Sequence, residues 1–508
     1  MTKNYVLAHD LGTTGTKASL FDRDGRMIDN AFSGYETVYA HTNWAEQNPE
    51  DWWKAVCLST RKLLQATRVD PQEIACVAFS GQMMGCVPID RAGKPLRNAI
   101  IWADQRSVEE DRWLEERISK AEVYRITGHR VGASTTLCKI LWLREHDPDS
   151  YRAAAKFVQA KDAIVARLTG NLVTDRTDAS STNLYELDTA NWSERILDAA
   201  GLDQDKMPQI RLSTDVVGYV LSSIAEEVGL AAGTPVVIGG GDGVAAAVGA
   251  GVVREGSAFT YIGSSGWIAL TTAKPVYEPD FKTYTFAHMV PDKFCPCGAM
   301  QAAGGSYAWT RNELGMAEVQ AAEALGLSPY ELMNLQVERS RPGADGLIFL
   351  PYLIGERSPH WNPRARGAFV GLTIRHSRAD MFRAVLEGIT MNLDLVLRAF
   401  LKQGVPIQAM RVVGGGARGR VWNQLMADIY GMPVQRLAVL EEATSMGAAV
   451  AGGVGVGLYP DFSIVDQMNR VADVINPDPE AMAVYETMRP WFEATYQALV
   501  PIFERMAQ

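Results

Sequence analysis

VLAHDLGTTGTKASLFD, residues 6–22, sets two short apolar runs on either side of a turn made of glycine and threonine. The pattern predicts a strand over 5–9, a glycine-rich hairpin, a strand over 18–21, a second turn at 22–25 and a third strand over 26–29. That is an antiparallel meander. Its first turn offers backbone N–H groups at Gly12, Thr13 and Thr14, the hydroxyls of Thr13, Thr14 and Thr16, and a cation, Lys17, close behind. Such a loop suits a phosphate, and Asp10 at the end of the first strand suits Mg²⁺ or its water shell. A plain hairpin of threonine and glycine is the alternative.

Downstream, PEDWWKAVCLSTRKLLQA (49–66) places Trp53, Val56, Leu63 and Leu64 at helical spacing, and a strand is predicted over 74–79. Strands and helices alternate, so the class is α/β. Near 253–256 the pattern restarts. AFTYIG, a small-residue turn at Ser264, Ser265 and Gly266, and WIALTT repeat the layout of the first hairpin, so the chain divides into two related halves, 1–252 and 253–508. Within the second half, residues 378–403 read as a long helix with a capping box at Ser377 and Asp380 and a stop at Gly404. AMRVVGGGARGRVWNQLMADIYGMPV (409–434) reads as strand, glycine loop, helix, stop. The final stretch, 479–506, reads as a structural helix.

With 508 residues, 47% hydrophobic, the chain has enough apolar content for two or three cores. A net charge of -10 argues against nucleic acid or an anionic membrane as a partner. The six scattered cysteines make no disulfide framework, and Cys295-Pro-Cys297 lacks the spacing of a zinc or redox pair. A reducing, cytoplasmic location is expected. The amino terminus reads without a secretion signal, and the Ala/Gly-rich runs at 244–253 and 448–456 are too short for a membrane span. They read as buried helices lying close to neighbouring backbone.

GGGDGVAAAVGAG (239–251) sets one carboxylate, Asp242, among glycines. It fits the relaxed dinucleotide pattern G-x-G-x-x-A, but an acid inside that turn would repel the pyrophosphate, and no ribose-binding acid follows the next strand. Two readings remain, and they are compatible: Asp242 as the N-cap of a helix over 243–250, and Asp242 as an acid presented to a substrate. The glycines before it read as room for close approach by a ligand or the opposite domain.

Together these segments resemble the FGGY carbohydrate kinases. The resemblance runs through VLAHDLGTTGTKASLFD, AIIWADQRS (99–107), VVIGGGDGVAAAVGAG (236–251), YIGSSGWIA (261–269), residues 349–393 and RVVGGGARGRVWNQLMADIYG (411–431). It implies a two-domain actin-like ATPase (ribonuclease H-like) fold, each domain a mixed sheet flanked by helices, with a cleft between that closes on sugar and ATP. Within the family, Gly81-Gln82-Met83-Met84-Gly85, Trp102-Ala103-Asp104 and Gly239 to Asp242 resemble the xylulokinase pattern, except that Met84 stands where that pattern has histidine. Segments 122–131, 355–369 and 371–376 also resemble gluconokinases.

What the resemblance implies is ATP-dependent phosphorylation of a sugar hydroxyl, D-xylulose first and gluconate or a polyol as alternatives, with Asp242 as catalytic base. A sugar- and nucleotide-binding regulator without activity is the third reading, and the presence of the base speaks against it. Gly12, Thr13, Thr14 and Lys17 are expected at the transferring phosphate with Mg²⁺ near Asp10, Gly263, Ser264 and Ser265 on the nucleotide side, and Gly304, Gly415, Gly416 and Ala417 against the adenosine. Gln82, Met83, Met84, Trp102, Asp104 and Arg106 are expected on the sugar side, with a structural ion pair as the alternative for Asp104 and Arg106. Arg357 and His360 read as turn-stabilising. A homodimer is left open.

Overall fold

The computed structural model describes residues 3–506. Two sheets organise it. The first contains β1 (Tyr5–Leu11), β2 (Gly15–Phe21), β3 (Met27–Gly34), β4 (Ile74–Gly81), β5 (Val216–Tyr219) and β6 (Pro235–Gly241), in the order β5-β6-β4-β1-β2-β3. β1, β4 and β6 run parallel, while β2 and β3 complete the meander antiparallel. The second contains β7 (Ala258–Ile262), β8 (Gly266–Leu270), β9 (Tyr284–Ala287), β10 (Phe294–Met300), β11 (Met410–Val413), β12 (Val434–Leu437) and β13 (Val471–Ile475), in the order β9-β10-β8-β7-β11-β12-β13. There too the first hairpin, β7 to β8, is antiparallel and β7 pairs parallel with β11. Both sheets are mixed, and the layout of the first is repeated in the second.

Helices cover the faces. α1 (Pro49–Thr67) starts on the side chain of Asn48 and buries Trp52, Trp53, Val56, Leu63 and Leu64 in one core with Leu7, Leu11 and Phe79. α2 (Asp242–Gly249) follows β6 directly. The long α3 (Arg378–Lys402) has the Ser377 and Asp380 capping box and lies in the core of the second half with α4 (Arg420–Tyr430) and α6 (Pro479–Met506). α5 (Ala443–Gly455) leaves the second half and packs on β1, β4 and β6 of the first.

α2 and α5 are the two Ala/Gly-rich runs, and they cross backbone to backbone. A Cβ on Gly249 would lie 1.8 Å from the Ala443 carbonyl oxygen, and one on Gly447 would lie 1.9 Å from that of Ala245. Only glycine permits this approach. The crossing sits in a core that holds Val6, Ala8 and Ala78 from the first half and Phe259, Val413 and Val450 from the second. No helix among the described residues is long and apolar enough to cross a membrane. Cys295 and Cys297 lie buried on β10 as free thiols, 3.7 Å apart at sulfur.

Candidate active site

The parallel strands of the first sheet finish in register. Asp10 pairs with Ser80 and Ser80 with Gly240; Leu11 pairs with Gly81 and Gly81 with Gly241. The carboxyl ends of such strands, where loops turn away in different directions, form the usual ligand crevice of an α/β sheet. Asp10 and Asp242 are therefore delivered to one edge.

At that edge the first hairpin is held from beneath by its carbonyls. Gly12 O accepts from the Tyr35 hydroxyl, Thr13 O from Gln47 Nε2 at 2.6 Å, and Thr14 O from the Tyr35 amide at 3.2 Å. The amides of Thr13 and Thr14 donate to no described residue, which leaves two N–H groups of the hairpin available to an acceptor. The Thr13 hydroxyl accepts from Trp102 Nε1 at 2.9 Å. Lys17 reaches across to Glu442, which stands at the start of α5, at 2.9 Å. Its charge is paired within the protein rather than left free behind the hairpin.

Asp242 occupies the first turn of α2, with Gly241 as the N-cap. It is not itself the cap. Its Oδ1 accepts from the Gly243 amide at 2.7 Å. Burial pushes its carboxyl up to about 7, the nearby Asp10 carboxylate adds to the rise, and the Gly243 N–H opposes it. Asp10 is raised as well, by burial first, against a 2.7 Å hydrogen bond from Ser80 and the charge of Lys17. The glycines before Asp242 serve protein packing rather than ligand approach. Gly239 has φ +69, and a Cβ there would sit 1.7 Å from Phe79 O; at Gly240 it would meet Thr177 Oγ1 at 2.8 Å, and at Gly241 the Met83 side chain at 2.5 Å.

The second hairpin repeats the device. Gly263 O accepts from Gly304 N at 2.9 Å and Ser264 O from the amides of Ala303 and Gly305, while the amides of Ser264 and Ser265 donate to no described residue. Gly304 thus braces this hairpin, where a Cβ would lie 2.3 Å from Gly263 O. Beside it lies a cavity of about 660 Å³ whose walls include Gly263, Ser264, Gly304, Gly415 and Gly416. Ala417 is fully buried behind the wall. The glycine loop forms a short 3-10 turn, Gly415–Arg418, before α4 begins. Sequence reasoning missed the aromatic part of this cavity: Tyr307 stacks on Tyr330 at 5.4 Å, with Trp422 edge-on at 5.9 Å and Asn334 alongside. Helical spacing marks such side chains only as candidates for a core.

The expected sugar side divides into two groups. Met83 packs against Gly241, and Met84, at φ +61, is pinned through its amide to Ser181 Oγ at 3.3 Å and through its carbonyl to Lys139 Nζ at 2.7 Å. Burial pushes that lysine down to about 7. Gln82 is turned inward, donating to Gln47 Oε1 at 2.8 Å. Asp104 and Arg106 form the ion pair: Asp104 accepts from Arg106 Nε and Nη2 and from the amides of Arg106 and Ala45, and the guanidinium lies 3.7 Å over Trp44 and bonds Glu46. Both side chains are fully buried, so these polar groups are spent inside the protein. His360 bonds the Tyr352 hydroxyl and stacks on Tyr496, whereas Arg357 projects over the Trp102 ring at 5.7 Å.

A buried carboxyl group at the same strand edge as a threonine-bearing hairpin, together with a second hairpin beside an aromatic cavity, is the arrangement of a phosphotransferase of the two-domain actin-like class. Comparison with known proteins gives the particular group: residues 5–249 match the N-terminal domain and 258–456 the C-terminal domain of the FGGY family of carbohydrate kinases, and the chain belongs to that family. It is 34% identical to a xylulose kinase of Staphylococcus epidermidis over 98% of this chain and 97% of that protein. It is equally 34% identical to a gluconokinase of Bacillus subtilis, over 96% and 95%. Among solved structures, a gluconate kinase from Lactobacillus acidophilus superposes with a TM-score of 0.92 at 27% identity, covering 99% of both chains. A ligand-bound xylulose kinase from the same organism gives 0.91 at 27%, again with 99% of both.

Proposed function

We propose that this carbohydrate kinase transfers the γ-phosphoryl group of ATP to D-xylulose, giving D-xylulose 5-phosphate and ADP, with Asp242 as the base. The observation that carries the reading is the register that brings the buried Asp242 carboxyl to the same strand edge as Asp10 and the hairpin whose Thr13 and Thr14 amides have no described partner. The sugar hydroxyl gives its proton to Asp242 as its oxygen attacks phosphorus, and the bond to ADP breaks. The Thr13 and Thr14 amides receive the transferring phosphate. The Ser264 and Ser265 amides receive the others, with Gly304, Gly415, Gly416 and Ala417 behind the adenosine. Met83, Met84 and Trp102 border the sugar, while Gln82, Asp104 and Arg106 support that border from within.

Asp10 suits Mg²⁺. One oxygen is held by Ser80, the other accepts no hydrogen bond from the described residues, and a cation would relieve the crowding with Asp242. Bound there, Mg²⁺ supplies charge neutralisation for the phosphates. We take 1–252 and 253–508 as the units that close, and a cytoplasmic location for the reaction.

One observation favours gluconate instead. Arg357, whose guanidinium lies 5.7 Å over the Trp102 ring, makes no ion pair among the described residues. An unpaired guanidinium group beside Trp102 suits a carboxylate. Purified protein with ATP and Mg²⁺, assayed for ADP release against ketopentoses, gluconate and polyols, separates the two. The highest kcat/KM on D-xylulose supports the first reading and the highest on gluconate the second; no release with any acceptor contradicts both.

A further inference from the structure

A charged cluster with no solvent contact lies behind the base. Lys161 Nζ is 2.6 Å from Asp162, 2.9 Å from Asp175 and 3.0 Å from Asp178, and all four side chains are fully buried. Burying charge in this way costs desolvation energy and is weak evidence for stability, so the question is what the cluster holds in place.

Asp175 Oδ2 accepts from the amide and the hydroxyl of Thr177, at 2.8 and 2.7 Å, and from Ser213 Oγ at 2.9 Å. The single proton of the Thr177 hydroxyl is therefore committed to Asp175, which turns the oxygen lone pairs the other way. They accept the Gly241 amide at 2.8 Å. Gly241 is the N-cap of α2 and is joined by one peptide bond to Asp242. Ser213, through its carbonyl, accepts the Gly239 amide at 3.0 Å. The two ends of the glycine turn are thus tied to groups that share one carboxylate. The same short segment holds the opposite wall, since Ser181 Oγ accepts the Met84 amide.

We infer that Thr177, oriented by Asp175, is a positioning residue for the base: its hydroxyl fixes the Gly241 peptide and thereby the aim of the Asp242 carboxylate. This rests on the reading of Asp242 as the base. Thr177 touches no reacting atom in that scheme and acts through the backbone only. A charge-assisted acceptor behind the hydroxyl makes the contact both directional and strong.

Thr177→Val keeps the shape, removes the hydroxyl and leaves the Gly241 N–H without its partner. Displacement of a reacting group by about 1 Å costs on the order of 10²-fold, so kcat is expected to fall by about 10- to 100-fold while KM for ATP and for the sugar stays within about threefold. Thr177→Ser, which restores the oxygen, is expected to recover kcat to within about threefold of the unmodified enzyme. Steady-state kinetics at a temperature where thermal melting shows each protein fully folded provides the readout. If Thr177→Val does not fold, Thr177→Ala against Thr177→Ser carries the same comparison, because neither adds volume. A hydroxyl-free variant with kcat unchanged, or a serine variant no better than it, overturns the inference. Asp242→Asn is assayed alongside: an inactive Asp242→Asn beside an active Thr177→Val removes only the positioning role, whereas an active Asp242→Asn removes the base itself.

Discussion

Asp242 shows how one carboxyl group is set for its task. Burial alone raises it, Asp10 raises it further by like charge, and the Gly243 N–H holds it back, leaving it at about 7. A base acts when deprotonated, so kcat/KM should rise with pH through about 7 in the free enzyme. A kcat/KM profile flat down to about pH 5 would show a carboxylate in its ordinary range. Of this, sequence showed only a lone acid in a turn between a strand and small residues; its burial and the nearness of Asp10 come from the tertiary fold. The glycines around it were no more legible in sequence. They match Phe79, Thr177 and Met83, residues remote in sequence, and no local pattern reveals which neighbour forbids a Cβ.

At the level of elements, hairpins and caps were readable because their chemistry is local. The turn in 10–17, its repeat at 263–266 and the capping box of α3 all stand where glycine, threonine and Ser377 with Asp380 place them. The supports of those hairpins were not readable, since Tyr35, Gln47 and Ala303 are chosen by tertiary contact. α6 continues through Pro490 and Pro501, residues that on their own argue for a break. The close crossing of α2 and α5 was visible only as composition, and the structure turns it into a reciprocal pair, Gly249 with Ala443 and Gly447 with Ala245. Adding a methyl group where 1.9 Å is available forces the helices apart. Gly447→Ala should therefore destabilise by about 1–3 kcal/mol or more, read from the urea midpoint. An unchanged midpoint would show that α5 is free to shift.

Across the whole molecule, two sheets with the same hairpin layout face a shared core, and the boundary near 252 that the repeat suggests passes through that core rather than around it. α2 carries Asp242 at its start, and α5, which it crosses, carries the Lys17 partner Glu442 at its own. Closure around sugar and ATP should therefore move the two hairpins toward each other while the α2 and α5 crossing stays packed. Small-angle scattering should show a smaller radius of gyration with sugar and a non-hydrolysable ATP analogue together than with either alone, and an unchanged radius would contradict closure. In the proposed reaction Asp242 takes the proton of the acceptor hydroxyl. The most direct test is kcat of Asp242→Asn beside the unmodified enzyme, with ATP, Mg²⁺ and the preferred sugar, and ADP affinity measured in parallel. Loss of the base should lower kcat by about 10²- to 10⁴-fold with ADP affinity unchanged, the range that removal of a general base produces; an Asp242→Asn enzyme that keeps full turnover would show that Asp242 is not the base.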